Sequence, residues 1–490
     1  MFAVINLGLK SIRLCLFDGA SHLLFKKSYP LNTVIFGEGV EQDGEEWWNC
    51  VKQLFDDAAE VGHKLEEIGG VTVSASASCL VCVDSKGIPL RPIIMVSDRR
   101  HCAAEADSGE PVMIQRIHWL RESEPDAFEK AARFLAPNDY LIHRLSGRPV
   151  TDPLNAEKSG YDIPRREYLI EDDTIRSRLP EVGDIGEVVG TLLPEVASEL
   201  GLPKSVEVRL STYDAIVSVV GSGVSQPGEL CDVSGTVTSV RMVAAQDCPH
   251  PEGAIVSQSM SLLGHYYVGG SNNMGGGLIE WLKGTFYPPS PHVYDMIQAD
   301  AQSVSAKDSR IVFLPYLLGE RAPLWNPHAR GVFFGVERMH SRKHFARATL
   351  EAAAFSGRSL IDAITEAHGK PPSKIRLSGG LSRLEICNRI KADVYGMPVE
   401  IVSEFESTAL GAYLLAFHQA LEIDLRSPQA LGKFVKVRDI VLPDEEAMAV
   451  YEESYTMFRE IYAALKPLFE RHKARTILSL KSEDGYLENL

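Results

Sequence analysis

VRLSTYDAIVSVVGSGVSQPGELCDVSGTVTS, residues 208–239, is the stretch on which the fold turns. It reads as a strand ending at Ser211, an acid at Asp214, and a short helix of small residues from Ala215 to Gly221. A Gly/Ser/Pro linker over 221–228 follows, then a second strand that runs into the turn Ser234-Gly235-Thr236. An acid where a strand gives way to a helix N-terminus lies where open α/β sheets present groups to ligands. The Ser-Gly-Thr turn offers backbone N–H and hydroxyl donors to a phosphate, and Gly235 lets the backbone come close. A carboxylate and a phosphate cradle on either side of a linker point to ATP-dependent transfer to a hydroxyl.

Outward from this stretch the same layout recurs. FAVINLG and SIRLCLFD, joined through Gly8-Leu9-Lys10, form an apolar hairpin like LCDVSG and TSVRMVAA some 225 residues later, and HLLFKKSY adds a third strand to the first. The recurrence suggests two related α/β domains facing each other. Asp43-Gly44-Glu45-Glu46 opens a helix with Trp47, Trp48, Val51, Leu54 and Phe55 at helical spacing. Strands are expected over 70–76 and 79–83, helices near 111–121, 126–134 and 138–146, and irregular polar chain over 151–205. In the second half, strands near 254–259 and 264–269 precede GGSNNMGGG (269–277), which opens a helix. A strand at 310–315, a long helix from Ser341 to about His368 ended by Gly369, and a strand-turn-helix through Ser378-Gly379-Gly380 follow. A small-residue helix over 408–419, an amphipathic helix over 443–470 and a fraying polar tail complete the chain. Strands alternate with helices throughout, so the class is α/β, with a domain boundary at 224/225.

With 490 residues the chain exceeds what one core usually serves. A net charge of −16 argues against nucleic-acid or anionic-membrane binding. No apolar run reaches the roughly 18–20 residues that span a bilayer, and Lys10, Arg13 and Asp18 rule out a signal peptide at the N-terminus. Eight cysteines in such a length are too sparse for a disulfide scaffold, so the expected location is the cytoplasm. Cys79 and Cys82 spell CxxC on an apolar strand, where packing explains them better than zinc. His340 and His344, four apart with no third ligand, read as a solvated helix start.

Several blocks together resemble the FGGY family of carbohydrate kinases. The most specific is FLPYLLGERAPLWNPHARGVFFGV (313–336), followed by the helix bearing Arg347-Ala-Thr-Leu-Glu351. EQDGEEWW (41–48), PNDYLIHRLSG (137–147), LSGGLSRLEICNRIKADVYGMPV (377–399) and ESTALGAYLLA (406–416) keep the family's order. The resemblance implies two ribonuclease-H-like domains of the actin/hexokinase ATPase type around a cleft. It implies ATP and Mg²⁺ as cofactors and a small carbohydrate bound mainly by the first domain, in a chain compatible with a homodimer.

By the same resemblance, Asp214 is the catalytic base that takes the proton of the attacking hydroxyl, where position alone also allows a helix N-cap. Gly235 and Thr236 belong to the second phosphate hairpin, and Gly379, Gly380 and Arg383 to the turn that carries adenosine. Asn273, beside Asn272, resembles a polar residue near the nucleotide in gluconate-kinase-like members, with helix capping as the other reading.

The first hairpin departs from the family's Asp-x-Gly-Thr: here it is Asn6-Leu7-Gly8-Leu9. Asn6 lacks the charge that serves Mg²⁺, so it holds a hard cation weakly or through water. Leu9 has no donor, which leaves Gly8, Lys10 and Ser11 to meet phosphate. The sugar pocket departs as well, with Ser76-Ala77-Ser78 in place of Gln-Met-His, and with Asp98 and Arg100 the residues kept from Trp-Asn-Asp-x-Arg. Ser76, Ser78, Asp98, Arg100 and Asp214 form the expected acceptor site, and a shortened segment after Arg100 implies a wider pocket. Two functions remain open at this point: an ATP-dependent kinase of a sugar, polyol or sugar acid, or a weakly active nucleotide- or sugar-binding relative that acts as a sensor or partner.

Overall fold

The computed structural model describes residues 1–100, 110–403 and 406–487, with side chains other than those at 428–429 and beyond 472. The segment expected to open the pocket wall after Arg100 lies largely outside the described residues. The chain divides into two compact units, each an α/β body.

The first unit comprises Met1–Gly221 and Glu406–Ala430. Its six-stranded sheet begins with the meander Phe2–Leu7, Ser11–Phe17 and Leu23–Pro30. Phe2–Leu7 pairs in parallel with Gly70–Ala75, which pairs in parallel with Glu207–Arg209, and Val188–Thr191 closes the edge antiparallel. That last strand falls in the stretch expected to be irregular; its four residues, with Gly190 among them, are too few for an alternating pattern to stand out. The predicted helix opening is accurate: Asp43 caps Gly44–Glu60 by accepting the Glu45 N–H, and Trp47, Trp48, Val51, Leu54 and Phe55 are buried against the sheet. Instead of a helix through 134, Pro125–Lys130 is helical and Arg133–Leu135 is a strand.

The helix Ser407–Phe417, expected with the second half of the chain, packs in the first unit. It crosses Asp214–Gly221 so closely that a Cβ on Gly221 would overlap the Ser407 carbonyl, and one on Gly411 the Val217 carbonyl. Small residues at the crossing let two backbones approach where larger side chains would hold them apart.

The second unit comprises Ser222–Phe405 and Leu431–Leu490. Its seven-stranded sheet repeats the plan of the first. The meander Glu229–Ser234, Thr238–Ala244 and His265–Ser271 is followed outward by Val256–Met260. On the other side, Lys374–Ser378 and Val399–Val402 add in parallel and Val437–Val441 antiparallel. A meander, two parallel strands and an antiparallel edge therefore occur in both units, as the recurring hairpin suggested. Helices Gly276–Phe286, Arg342–His368, Glu385–Tyr395 and Glu445–Leu487 cover this sheet. Gly369 ends Arg342–His368 in the left-handed conformation at φ 79°. His344 is not solvated at its start: it is buried, and its Nδ1 accepts the Ser341 N–H as part of the cap.

Candidate active site

In the first unit the two parallel strands end side by side and present Ser76 and Asp214. Thr72, Ser74 and Ser76 alternate along one strand, so their hydroxyls share a face and point at the neighbouring segment. Thr72 donates to the Arg209 carbonyl (2.8 Å), Ser74 to the Thr212 carbonyl (2.9 Å) and Ser76 to Asp214 Oδ2 (2.7 Å). Asp214 is the first residue of its helix and is half-buried, so its carboxylate is fixed yet open to a ligand. Thr212 is held a second time, its hydroxyl donating to buried Asp152 at 2.7 Å. Burial pushes the Asp152 carboxyl up, although Thr212 and Asn155 oppose the shift. Ser78, at φ +64°, starts the turn beyond the strand and lines a small polar cavity with Asp139, Thr151 and Asn155.

Asp98 and Arg100, expected in the acceptor pocket, are bound to each other. Arg100 Nη2 donates to Asp98 Oδ2 and to Glu41 Oε1, both at 2.6 Å, and its guanidinium lies 4.4 Å from the Trp119 ring centre. Burial pushes the Asp98 carboxyl up, but bonds from Arg100 and the Val40 N–H outweigh it and leave it below the usual range. The pair therefore reads first as a rigid wall.

At the first hairpin, Gly8 N–H donates to the Ser11 carbonyl at 2.9 Å, Lys10 is exposed and Ser11 is half-buried. Asn6 pairs across the strands with Arg13 and Ser74, and its Nδ2 is buried with no hydrogen-bond partner. Among the described residues no three His, Cys, Asp or Glu side chains cluster as a metal-ligand set. The donor set fits Mg²⁺ only as an ion held mostly by phosphate and water, with Asn6 able to offer one amide oxygen.

In the second unit the turn Gly235-Thr236 is exposed at the end of its hairpin. The glycine-rich helix start packs behind it: Gly276 N–H donates to the Gly235 carbonyl (2.6 Å), and those of Gly275 and Gly277 to the Thr236 carbonyl (2.9 and 3.0 Å). In a trans peptide the N–H opposes the C=O, so the N–H groups of Thr236 and Val237 face away from that helix. A Cβ on Gly276 would stand 2.8 Å from the Gly235 carbonyl, so glycine is needed for this approach. Gly379, at φ +85°, rests on the same hairpin, and a Cβ there would meet the Ser234 carbonyl at 2.5 Å. Gly380 and Arg383 are exposed in the turn that follows. Asn273 is engaged otherwise: its N–H donates to Glu320 Oε1 (2.7 Å) and its Nδ2 to the Gly319 carbonyl (3.1 Å), which ties down the loop after Val312–Leu314.

Sequence reasoning missed two features here. One is Glu320, buried in that loop. The other is a set beneath the turn, buried Asp232, Ser234, Thr238 and Lys391 with half-buried Tyr395. An acid inside a strand buried along its whole length, and a lysine on the apolar side of Glu385–Tyr395, were the available signals. The CxxC pair is apolar packing: Cys79 and Cys82 are buried free thiols, and burial pushes them up to about 11 and about 12.

Comparison with known proteins gives this arrangement a family. Residues 233–420 match the FGGY family of carbohydrate kinases, C-terminal domain, and residues 1–110 and 104–221 its N-terminal domain. The chain is similar to the gluconokinase of Bacillus subtilis, 25% identical over 453 residues that cover 86% of this chain and 88% of that one. It is similar to the xylulose kinase of Escherichia coli, 27% identical over 495 residues, covering 96% and 100%. Its fold is that of the gluconate kinase from Lactobacillus acidophilus, with a TM-score of 0.83 at 22% identity over 96% of this chain and 99% of that one.

Proposed function

The chain belongs to the FGGY family of carbohydrate kinases and is an ATP-dependent kinase of a sugar or sugar acid, and we propose that Asp214 is its general base. The observation that carries this role is the 2.7 Å hydrogen bond from Ser76 to a half-buried carboxylate at the mouth of two parallel strands. A base in such a place accepts the proton of the acceptor hydroxyl as the oxygen attacks the terminal phosphate, and a positioned base contributes about 10²–10⁴-fold. Ser76 orients it, and Ser78 and the rigid Asp98–Arg100 wall bound the acceptor.

On the nucleotide side, the outward N–H groups of the Gly235-Thr236 turn and the Thr236 hydroxyl hold the phosphates, and Gly379-Gly380 with Arg383 hold the adenosine. Gly8, Lys10 and Ser11 form a second, weaker phosphate contact. Asn273 supports the nucleotide site by anchoring the loop behind it. Mg²⁺ bound with ATP supplies neutralising charge, and Asn6 is the residue of the first hairpin that would face it. The dispersed free cysteines support a cytoplasmic place of action.

The experiment is ADP release from the purified protein with ATP and Mg²⁺ against gluconate, xylulose, ribulose and glycerol. Turnover on a member of the panel is expected, with Asp214→Asn lowering kcat by about 10²–10⁴-fold at unchanged melting temperature. An Asp214→Asn protein within threefold of wild type refutes the role.

A further inference from the structure

We propose that Lys391 is a positioning residue for phosphate binding: from beneath the Gly235-Thr236 turn, paired with Asp232 and bonded to Ser234, it fixes the backbone that meets the phosphates of ATP. The inference rests on the reading of that turn as the phosphate site.

Asp232 is fully buried, and the Lys391 side chain is 5% exposed. For stability alone, well-packed apolar residues usually serve as well as a buried ion pair, because both charges must leave water. The pair is retained here with nearly every hydrogen-bonding group engaged. Asp232 Oδ2 accepts from Lys391 Nζ and from Tyr395 Oη (2.7 Å), and Oδ1 from Ser234 Oγ (2.7 Å). Lys391 Nζ also donates to Ser234 Oγ (2.8 Å), which lies 2.9 Å from Thr238 Oγ1. A hydroxyl has one proton to give. Since Ser234 gives its proton to Asp232, Thr238 must donate to Ser234, and every proton in the chain has one direction.

Ser234 is the residue on which the two nucleotide elements converge. It is joined to Gly235 by the next peptide bond, and its backbone is the surface against which Gly379 rests. Lys391 and Tyr395 belong to the helix that follows the Gly379-Gly380 turn. A third element closes the junction, since a Cβ on Gly357 of the long helix would overlap the Tyr395 hydroxyl. Burial, with the Asp232 carboxylate, pushes the Tyr395 phenol up, so it stays a donor. Three directed bonds on Ser234 hold its side chain, and with it the orientation of the adjacent peptide, before the nucleotide arrives. Backbone N–H groups fixed in advance bind phosphate without a cost of reordering.

The test uses the full chain and calorimetric binding of adenosine, ADP and ATP. Lys391→Met keeps the length of the side chain and removes its charge; Asp232→Asn with Lys391→Met removes both charges and leaves no lone buried carboxylate. Tyr395→Phe, which spares the ion pair, carries the test if neither folds. ATP and ADP affinity is expected to fall at least about tenfold in the charge variants and about threefold in Tyr395→Phe, with adenosine within about twofold of wild type. KM for ATP rises while KM for the acceptor stays. Equal losses for adenosine and ATP, or no loss in a folded variant, overturn the proposal. A wild-type protein that binds ATP no more tightly than adenosine overturns the assignment of the turn itself.

Discussion

Glu320 makes stability depend on pH in a direction opposite to that of a paired carboxylate. It is 4% exposed in the loop after Val312–Leu314, and its Oε1 accepts the N–H groups of Asn273 (2.7 Å) and Arg321 (2.8 Å). Burial dominates: it raises the carboxyl from 4.5 to about 7, against the two N–H bonds and the Arg321 charge. The unfolded chain releases this proton near its ordinary value, so across the interval up to about 7 the folded protein holds a proton that the unfolded one has lost. Stability therefore falls as pH rises through that window and levels off above it. A span of about 2.5 pH units corresponds to about 3 kcal/mol.

Glu320→Gln is neutral at every pH and keeps an oxygen for the same two N–H groups, so it escapes this loss. Relative to wild type the variant is expected to gain about 3 kcal/mol between about pH 4.5 and about pH 8. In a unit of this size that widens the difference in melting temperature by roughly 5–10 °C. Scanning calorimetry of both proteins in overlapping buffers reads the difference directly. A gap that stays constant with pH, or narrows as pH rises, refutes the reasoning.

Two further outcomes test the nucleotide elements. Asn6→Asp restores a charged ligand at a buried amide whose Nδ2 has no partner, and is expected to lower the Mg²⁺ concentration for half-maximal activity severalfold; an unchanged Mg²⁺ titration would show that the residue does not face the ion. Gly379→Ala forces a side chain into φ +85°, ψ −178°, with its Cβ 2.5 Å from the Ser234 carbonyl, and is expected to destabilise the protein by about 2 kcal/mol or more in urea unfolding.

Much of the fold was legible because its signals are local. Apolar runs on either side of a glycine turn gave the two hairpins, Asp43 and the apolar spacing after it gave the first helix, and Gly369 gave the end of Arg342–His368. Val188–Thr191 escaped because so short a strand is defined by its neighbours in the sheet rather than by its own pattern. The return of Glu406–Ala430 to the first unit escaped for a similar reason: an apolar small-residue helix does not say which backbone it will touch, and Gly221 and Gly411 meet only across 190 residues of chain.

Of the candidate site, the sequence by itself determined the residue types at the ends of strands: Asp214 at a helix start, Gly235-Thr236 in a hairpin turn, Gly379-Gly380 after a strand. Only the tertiary structure decided what each of them leans on. It joined Ser76 to Asp214, locked Asp98 to Arg100, turned Asn273 toward the loop after Val312–Leu314, and set Asp232 against Lys391, 159 residues away. Periodicity is written over a few residues and survives in one dimension, whereas a hydrogen bond between distant side chains exists only once the backbone has brought both partners out of water to the same place.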